Sequence, residues 1–355
     1  MAYTDIDDPS EYFTTLLYTG NATDNRNLTN SANAGDFKPD WLWLKERSST
    51  SSHQLHDSTR GSSFALMSDS TAVEDEDANR VQAFQTNGFQ VGTASTVNQN
   101  TITMVAWQWK CNGGTTSSNT EGDITSTVQA NTTAGFSIVS WAGQTATNPT
   151  IGHGLSIAPT LVITKNRTSG NAWLTGVTQL GFNWNTDYYH LNSSDAKQTN
   201  AGGTGFHRAP TSTTISSGGF NHEETSSNYI AYCFHSVQGY SKIGSYVGNA
   251  NANGAFVYLG FKPAFVIIKK SSGGENWSIV DNKRSPFNVM DERLVPNSSA
   301  VEESNQGGGD SIDFVSNGFK CRDGAGQFND ANTYVYMAFA ENPFVSSEGV
   351  PTTAR

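Results

Sequence analysis

The run FKPAFVIIKK at residues 261–270 decides the fold: a proline, then consecutive apolar or β-branched residues, then lysine. So short an apolar run does not make a helix of ordinary length and fits a strand buried on both faces. The proline suits the strand's first position, where its missing N–H breaks no ladder bond. The same pattern stands twice upstream, as FKPDWLWLK at 37–45 and SIAPTLVITK at 156–165.

Other landmarks travel with it. Upstream lie Tyr18-Thr19-Gly20, Trp141-Ala142-Gly143 and Tyr246-Val247-Gly248; downstream lie the turn signals Asn87-Gly88-Phe89, Gly218-Gly219-Phe220 and Asn317-Gly318-Phe319. Each copy ends on an aromatic segment centred on alanine, around Ala106, Ala231 and Ala338. Four landmarks in one order, three times, are an internal repeat, and spacings above 100 residues exceed the roughly 20–50-residue units of solenoids or propeller blades. Each copy is therefore expected to be a domain: residues 1–111, 123–238 and 239–355. The Gly/Ser/Thr-rich stretch 112–122 reads as a flexible linker, and the short passage from the second copy to the third reads as a rigid joint.

The closing segments place Val105, Trp107 and Trp109 on one face at period two, with Ile230, Tyr232 and Phe234 as counterparts. Met337 and Phe339 follow in the third copy before Glu341 interrupts. The small alanine leaves room on the opposite face for a close neighbour. Asn-Gly before Phe89 and Phe319 is a hairpin signal. Short strands with frequent turns predict an all-β chain of three tandem antiparallel β-sandwich, jelly-roll-like domains. The best helical candidate is 71–85, which contains VEDEDANRVQAF.

The 355 residues are 35% hydrophobic, 11% aromatic and only 15% charged, with a formal net charge of −11. Aromatic content at this level argues against disorder. Acidity without a Lys/Arg cluster argues against nucleic acid as a partner, because phosphate contacts require several cations on one face. No apolar stretch approaches the roughly 18 residues of a membrane span, and MAYTDIDDPS lacks the features of a secretory leader, so neither membrane insertion nor Sec export is expected. Cys111, Cys233 and Cys321, odd in number and far apart, fit synthesis in a reducing cytoplasm.

The strings GFKPAFVIIKK, DNKRSPFNV, SNGFKCR, YVYMAFAENPF and EGVPTTAR, with DIDDPSEYF near the start and HDSTRG at 56–61, carry a family resemblance. Together they resemble a family of uncharacterised virion proteins of marine bacteriophages, especially cyanophages. The resemblance covers nearly the whole chain and is strongest in the third copy. The first copy departs from the others by its Trp-rich strand and acidic insert. The resemblance implies a tail-fibre, tail-spike or other virion-surface component whose work is structural and adhesive.

No catalytic constellation accompanies it. His53, His56, His153, His190, His207, His222 and His235 lack metal-ligand spacing, no Gly-x-Ser-x-Gly elbow is present, and GGTTSSNTEG and GGGDS lack a phosphate-binding Lys-Ser/Thr. Neither a metal site nor a cofactor is expected. Glu74-Asp75-Glu76-Asp77 reads as a solvated acidic loop with spacing unlike an EF-hand. The pairs Glu223-Glu224 and Glu302-Glu303 would point to opposite faces in strands, which separates them as glycosidase carboxylates. Trp41 and Trp43 read as core or interface. Asp57 with Arg60, and Asp281 with Arg284 at the matching place, read as structural ion pairs of the surface kind, contributing about 0–1 kcal/mol.

The candidate recognition surface is FNWNTDYYHLN at 182–192. Trp184, Tyr188, Tyr189 and His190 stand there among amides and an acid, a mixture suited to stacking on sugar while bonding its hydroxyls. The alternative is that these rings complete the second copy's core or an intersubunit contact.

The reading reached from sequence is a non-enzymatic virion protein, made in the host bacterial cytoplasm and displayed on the phage tail or capsid surface through a sandwich face. Its expected partners are other virion proteins, copies of itself as a homo-oligomer with a trimer favoured, and host-surface polysaccharide. A capsid decoration protein of the same fold is the alternative, followed by a glycan depolymerase.

Overall fold

The computed structural model describes residues 3–30, 37–144, 148–199, 205–216, 224–304, 311–324 and 326–352. The chain is nearly all β and its named strand pairs are antiparallel. Three inner sheets share one strand order. In the first, the opening strand Phe13–Thr19 pairs with the closing strand Thr103–Trp109, which pairs with the proline strand Trp41–Glu46, which pairs with the return strand Gln54–Asp57. The second repeats this with Phe136–Ala142, Asn228–Phe234, Leu161–Asn166 and Leu174–Val177. The third does so with Ser241–Val247, Thr333–Pro343, Phe261–Lys270 and Ser278–Asp281.

Register makes the equivalence residue by residue. Trp109, Phe234 and Phe339 stand opposite Trp41, Leu161 and Phe265 on the neighbouring proline strands. In the third copy Pro263 lies at register shifts within the strand, a bulge being one of the places where a sheet accepts a residue without an N–H.

Each inner sheet is backed by a small outer one: Arg26–Thr29 with Gly88–Val91 and Val81–Gln85, then Thr150–Gly152 with Thr214–Ser216, then Phe256–Tyr258 with Gly318–Cys321 and Ile312–Val315. This explains the unbroken apolar runs. Leu42 and Leu44 face the first outer sheet, while Trp41 and Trp43 face the other way. The closing strands alternate as their period requires, with Ala106, Ala231 and Ala338 turned to the outer cores.

The opposite faces converge. One buried cluster joins Trp41, Trp43, Trp107 and Trp109 of the first copy to Ile163, Tyr232 and Phe234 of the second and Phe265, Met337 and Phe339 of the third. Trp41 stacks on Tyr232 with ring centroids 4.5 Å apart, and Phe13 on Phe339 at 5.1 Å. The three copies are thus not self-sufficient beads: their largest core is common property, and each copy supplies one side of it. Burying rings of this size contributes roughly 1.5–3 kcal/mol each by area.

Several local expectations are corrected. Residues 71–85 contain no helix: Asp75–Glu76 and Val81–Gln85 are strands, the latter paired with Gly88–Val91 because Val81 and Phe84 join the outer core. The stretch 112–122 is bonded down and is no loose linker. Its Ser117–Asn119 pairs with Ser126–Asn131 as the edge of the second sheet, and the backbone N–H groups of Asn112 and Gly114 donate to Gln129 Oε1 at 3.1 and 2.7 Å. The hairpins at Phe89 and Phe319 exist, but the glycine is the first paired residue of the returning strand. A Cβ on Gly88 would lie 2.1 Å from Leu28 O, and one on Gly318 would lie 2.0 Å from Val257 O, so close strand approach demands glycine there. The Gly218-Gly219-Phe220 landmark lies outside the described residues. Among those described, no helix is long and apolar enough to cross a membrane.

Candidate functional site

The structure splits the proposed recognition segment. Trp184 is only 7% exposed and packs against Phe206 in the second outer core, with centroids 5.2 Å apart. Tyr189 is 0% exposed, lies in the central core, and donates from its hydroxyl to Ser271 Oγ at 2.8 Å. Neither ring offers a face to sugar, so both are corrected to core. The cause is strand alternation in Asp187–His190, which turns Tyr189 inward. Tyr188 and His190 remain half-buried, with rings 5.2 Å apart. Burial lowers the His190 pKa.

The polar groups that do converge lie on the seams between copies. Arg60 and Asp57 are ion-paired with both side chains fully buried, so this is no surface pair. Asp57 Oδ2 also accepts the hydroxyl of Tyr232, from the second copy, at 2.8 Å. Arg60 reaches Glu74 at 2.8 Å, and Glu74 binds Arg167 of the second copy at 2.7 Å. Glu74 therefore leaves the solvated acidic run, whereas Asp75 pairs with Arg80 near the surface.

The seam between the third copy and the first is built alike. Arg284 and Asp281 pair with no exposure, Asp281 Oδ2 accepts Trp107 Nε1–H at 3.0 Å, and Glu302 bridges Arg284 at 2.9 Å to Arg47 at 2.6 Å. Burial works against ionising Glu302, but hydrogen bonds from Arg47 and the charge of Arg284 hold its pKa below the usual carboxylate range. Its neighbour Glu303, the first residue of the strand Glu303–Ser304, faces outward to Arg293, so the two carboxylates point apart.

The remaining seam departs from this plan. Its counterparts to Asp57, Arg60, Glu74 and Arg167 are Val177, Leu180, Lys197 and Ser271. Leu180 is 90% exposed. Val177, Thr175, Leu161 and Ile163 face Ile267, Trp277 and Met337 around a cavity of about 20 Å³. Met337 stands where the other copies place Trp107 and Tyr232, so loss of the acid accompanies loss of the donor that would bond it.

A set of weaker bonds closes a ring through all three seams. Trp43 Nε1–H donates to His53 Nδ1 at 2.8 Å, which leaves the proton on Nε2, and that N–H donates to Val295 O of the third copy at 2.9 Å. Trp277 Nε1–H donates to His190 O of the second copy at 3.0 Å, and Trp173 Nε1–H to Met67 O of the first at 2.8 Å. Asp69, Asn192 and Asn297 accept the backbone N–H of His53, Trp173 and Trp277 respectively. The lysines that end the apolar runs serve the same seams. Lys165 Nζ donates to Thr71 O at 3.1 Å and Lys269 Nζ to Ser194 O at 3.0 Å, while Lys45 holds carbonyls of its own copy. Burial pushes all three lysines down to about 8.

Sequence reasoning found the Asp-Arg pairs and missed the ring. Its signal was available as a His or Trp four residues before the Asp or its counterpart, with an Asp or Asn 16 to 20 residues after that His or Trp in each copy.

The histidines are dispersed, and His222 and Glu223 lie outside the described residues. Among those described, no group of three His, Cys, Asp or Glu side chains is placed to hold a metal ion. The three cysteines are free and buried, and burial raises each thiol pKa.

A family model described as a domain of unknown function (DUF7483) matches residues 8–343. No curated protein and no solved structure matches the chain.

Proposed function

The chain belongs to the DUF7483 family, a domain of unknown function, and we propose, on the resemblance of its sequence strings, that it is a bacteriophage virion structural protein without catalytic activity. Its place is on the tail, as part of a fibre, spike or associated component, where it contacts neighbouring virion proteins and host-surface glycans. One observation supports the structural part of this reading: two of the three seams between copies enclose ion pairs with fully buried side chains, Asp57 with Arg60 and Asp281 with Arg284, each bonded to a ring of the next copy. With the core that all three copies share, these pairs join the copies into one body, which suits a particle component that must hold its shape. The virion part rests on the resemblance of the sequence strings.

Quantitative mass spectrometry of purified particles from a phage encoding the chain tests the proposal. A few to tens of copies per particle is the expected result. Hundreds would move the protein to the head as a decoration subunit, and absence from particles would overturn the virion reading. A threefold body is already built within one chain, so homotrimer formation is a separate proposal, tested by whether light scattering gives 38.2 kDa or three times that mass.

A further inference from the structure

Among the described residues, the most exposed aromatic side chains are Phe256, Tyr258 and Phe287, at 50, 48 and 79%, and all belong to the third copy. Phe256 and Tyr258 lie on the outer-sheet edge strand Phe256–Tyr258, with Val257 between them turned into the core. Two positions apart on a strand, they share the outward face at roughly 7 Å along the chain. Their cross-strand partners are Lys320 and Gly318. Gly318 contributes no side chain beside Tyr258, whose ring is 48% exposed.

Cationic and hydroxyl groups rim this platform. Lys242 Nζ lies 5.3 Å from the Tyr258 ring centroid and donates to Tyr258 O at 2.8 Å. Lys320 Nζ donates to Gly254 O at 2.9 Å. An ammonium has three donors, so these bonds leave capacity at both. The Tyr258 hydroxyl meets that of Tyr3 at 3.3 Å.

The fold does not require aromatics here. In the first copy the matching positions are Asn27 and Thr29, opposite Gln90 and Gly88. There Gln85 and Gln90 both donate to Asn27 Oδ1 at 2.8 Å, giving an amide surface in place of rings. The same sheet position thus carries a self-satisfied polar face in one copy and exposed rings beside lysines in another.

We propose that the outer face formed by Phe256, Tyr258, Lys242 and Lys320 is a binding site for an acidic polysaccharide. Sugar rings lay their C–H faces on the two aromatics, and carboxylate or sulfate groups meet the two ammonium groups. The chain as a whole carries a net charge of −11 and repels a polyanion, so two lysines beside the rings set where such a ligand settles. This deepens the glycan-contacting part of the proposed function and rests on it.

The test titrates the full chain with alginate and with dextran sulfate oligosaccharides, using neutral dextran as reference, by calorimetry at low and physiological salt. Saturable binding to at least one acidic probe, weakened by salt and absent for dextran, is expected. The double variant F256A/Y258A should bind at least tenfold more weakly and Lys320→Gln several-fold more weakly, whereas Asn27→Ala on the first copy should bind as the parent does. Unchanged melting temperatures establish that these exposed substitutions leave the fold intact. Absence of binding to both acidic probes, or binding retained by the double variant, overturns the site. A concentration-dependent dimer abolished by F256A/Y258A without sugar binding overturns it in favour of a protein contact. Detection of the chain in particles with any of these negative results leaves the virion reading standing, so the two can fail separately.

Discussion

Trp107 and Asp281 meet across the seam between the first and third copies, the indole Nε1–H donating to the carboxylate Oδ2 at 3.0 Å. The same acid is paired with Arg284, whose guanidinium also lies 5.4 Å from the Trp107 ring centroid. One contact therefore joins a carboxylate, a cation and an aromatic ring from strands far apart in the chain. At the seam between the first and second copies, Tyr232 takes the place of Trp107 and Asp57 that of Asp281.

Removing one partner from such a buried cluster should cost far more than removing a surface pair. Arg284→Met leaves buried Asp281 without its guanidinium and Glu302 with Arg47 alone, and a loss of about 3–5 kcal/mol is expected. Leu180→Ala, at the matching position of the seam without an Asp-Arg pair, should change stability by less than about 0.5 kcal/mol because Leu180 is exposed. Urea denaturation of the two variants measures both, and equal effects would refute the seam assignment.

The small cavity between the second and third copies contains a correctable fault. Thr175 is buried, lines this apolar space and has no hydrogen-bond partner for its hydroxyl among the described residues. A space of about 20 Å³ with so few polar atoms gives a water too few partners to hold it. Thr175→Val keeps the shape and removes the unsatisfied group, so stability should rise by about 1 kcal/mol. A fall in melting temperature would contradict this.

Acid should unfold the chain through its buried histidines. Burial, with the charge of Arg60, pushes His56 down to about 3, and His53 is likewise held well below its ordinary 6.5 by burial. The unfolded chain therefore binds more protons than the folded one below about pH 6.5. Stability from these groups is fully present above that value and falls progressively toward pH 3. Urea midpoints measured from pH 7 to 4 should decline, and His56→Gln should flatten the decline; parallel curves would exclude the role.

Lys165 holds three carbonyl oxygens, those of Thr71, Asn166 and Ser169, at 3.1, 2.9 and 3.4 Å. Lys165→Met keeps the apolar stem and removes every donor, so a loss of about 1–3 kcal/mol is expected. Hydrogen exchange should show faster opening around residues 67–74 and 166–171, next to the carbonyls released. Protection unchanged in both segments would assign the lysine no seam role.

Much of the architecture was legible in the chain. The proline runs, the aromatic closing strands and their period-two faces are local patterns, and each reappears with Trp107, Tyr232 and Met337 on the inward side. The candidate site was less legible. Trp184 and Tyr189 stand among residues of the right chemistry, but the same aromatic composition serves a core as well as a binding face, and only the packing of Phe206 and Ser271 against them decides. Phe256 and Tyr258 passed unnoticed because an exposed ring and a buried one look alike in sequence.

The sequence alone determined the all-β character, the repeat and which residues share a strand face, because alternation of side chains is a property of the backbone over a few neighbouring residues. Only the tertiary structure decided that three inward faces close on one core and that two Asp-Arg pairs are buried at seams. It also decided that the third seam has no such pair, with Val177 beside Met337 in its place. Those outcomes depend on which distant surface covers a given face, and that is settled by packing among residues more than a hundred positions apart, which no local pattern encodes.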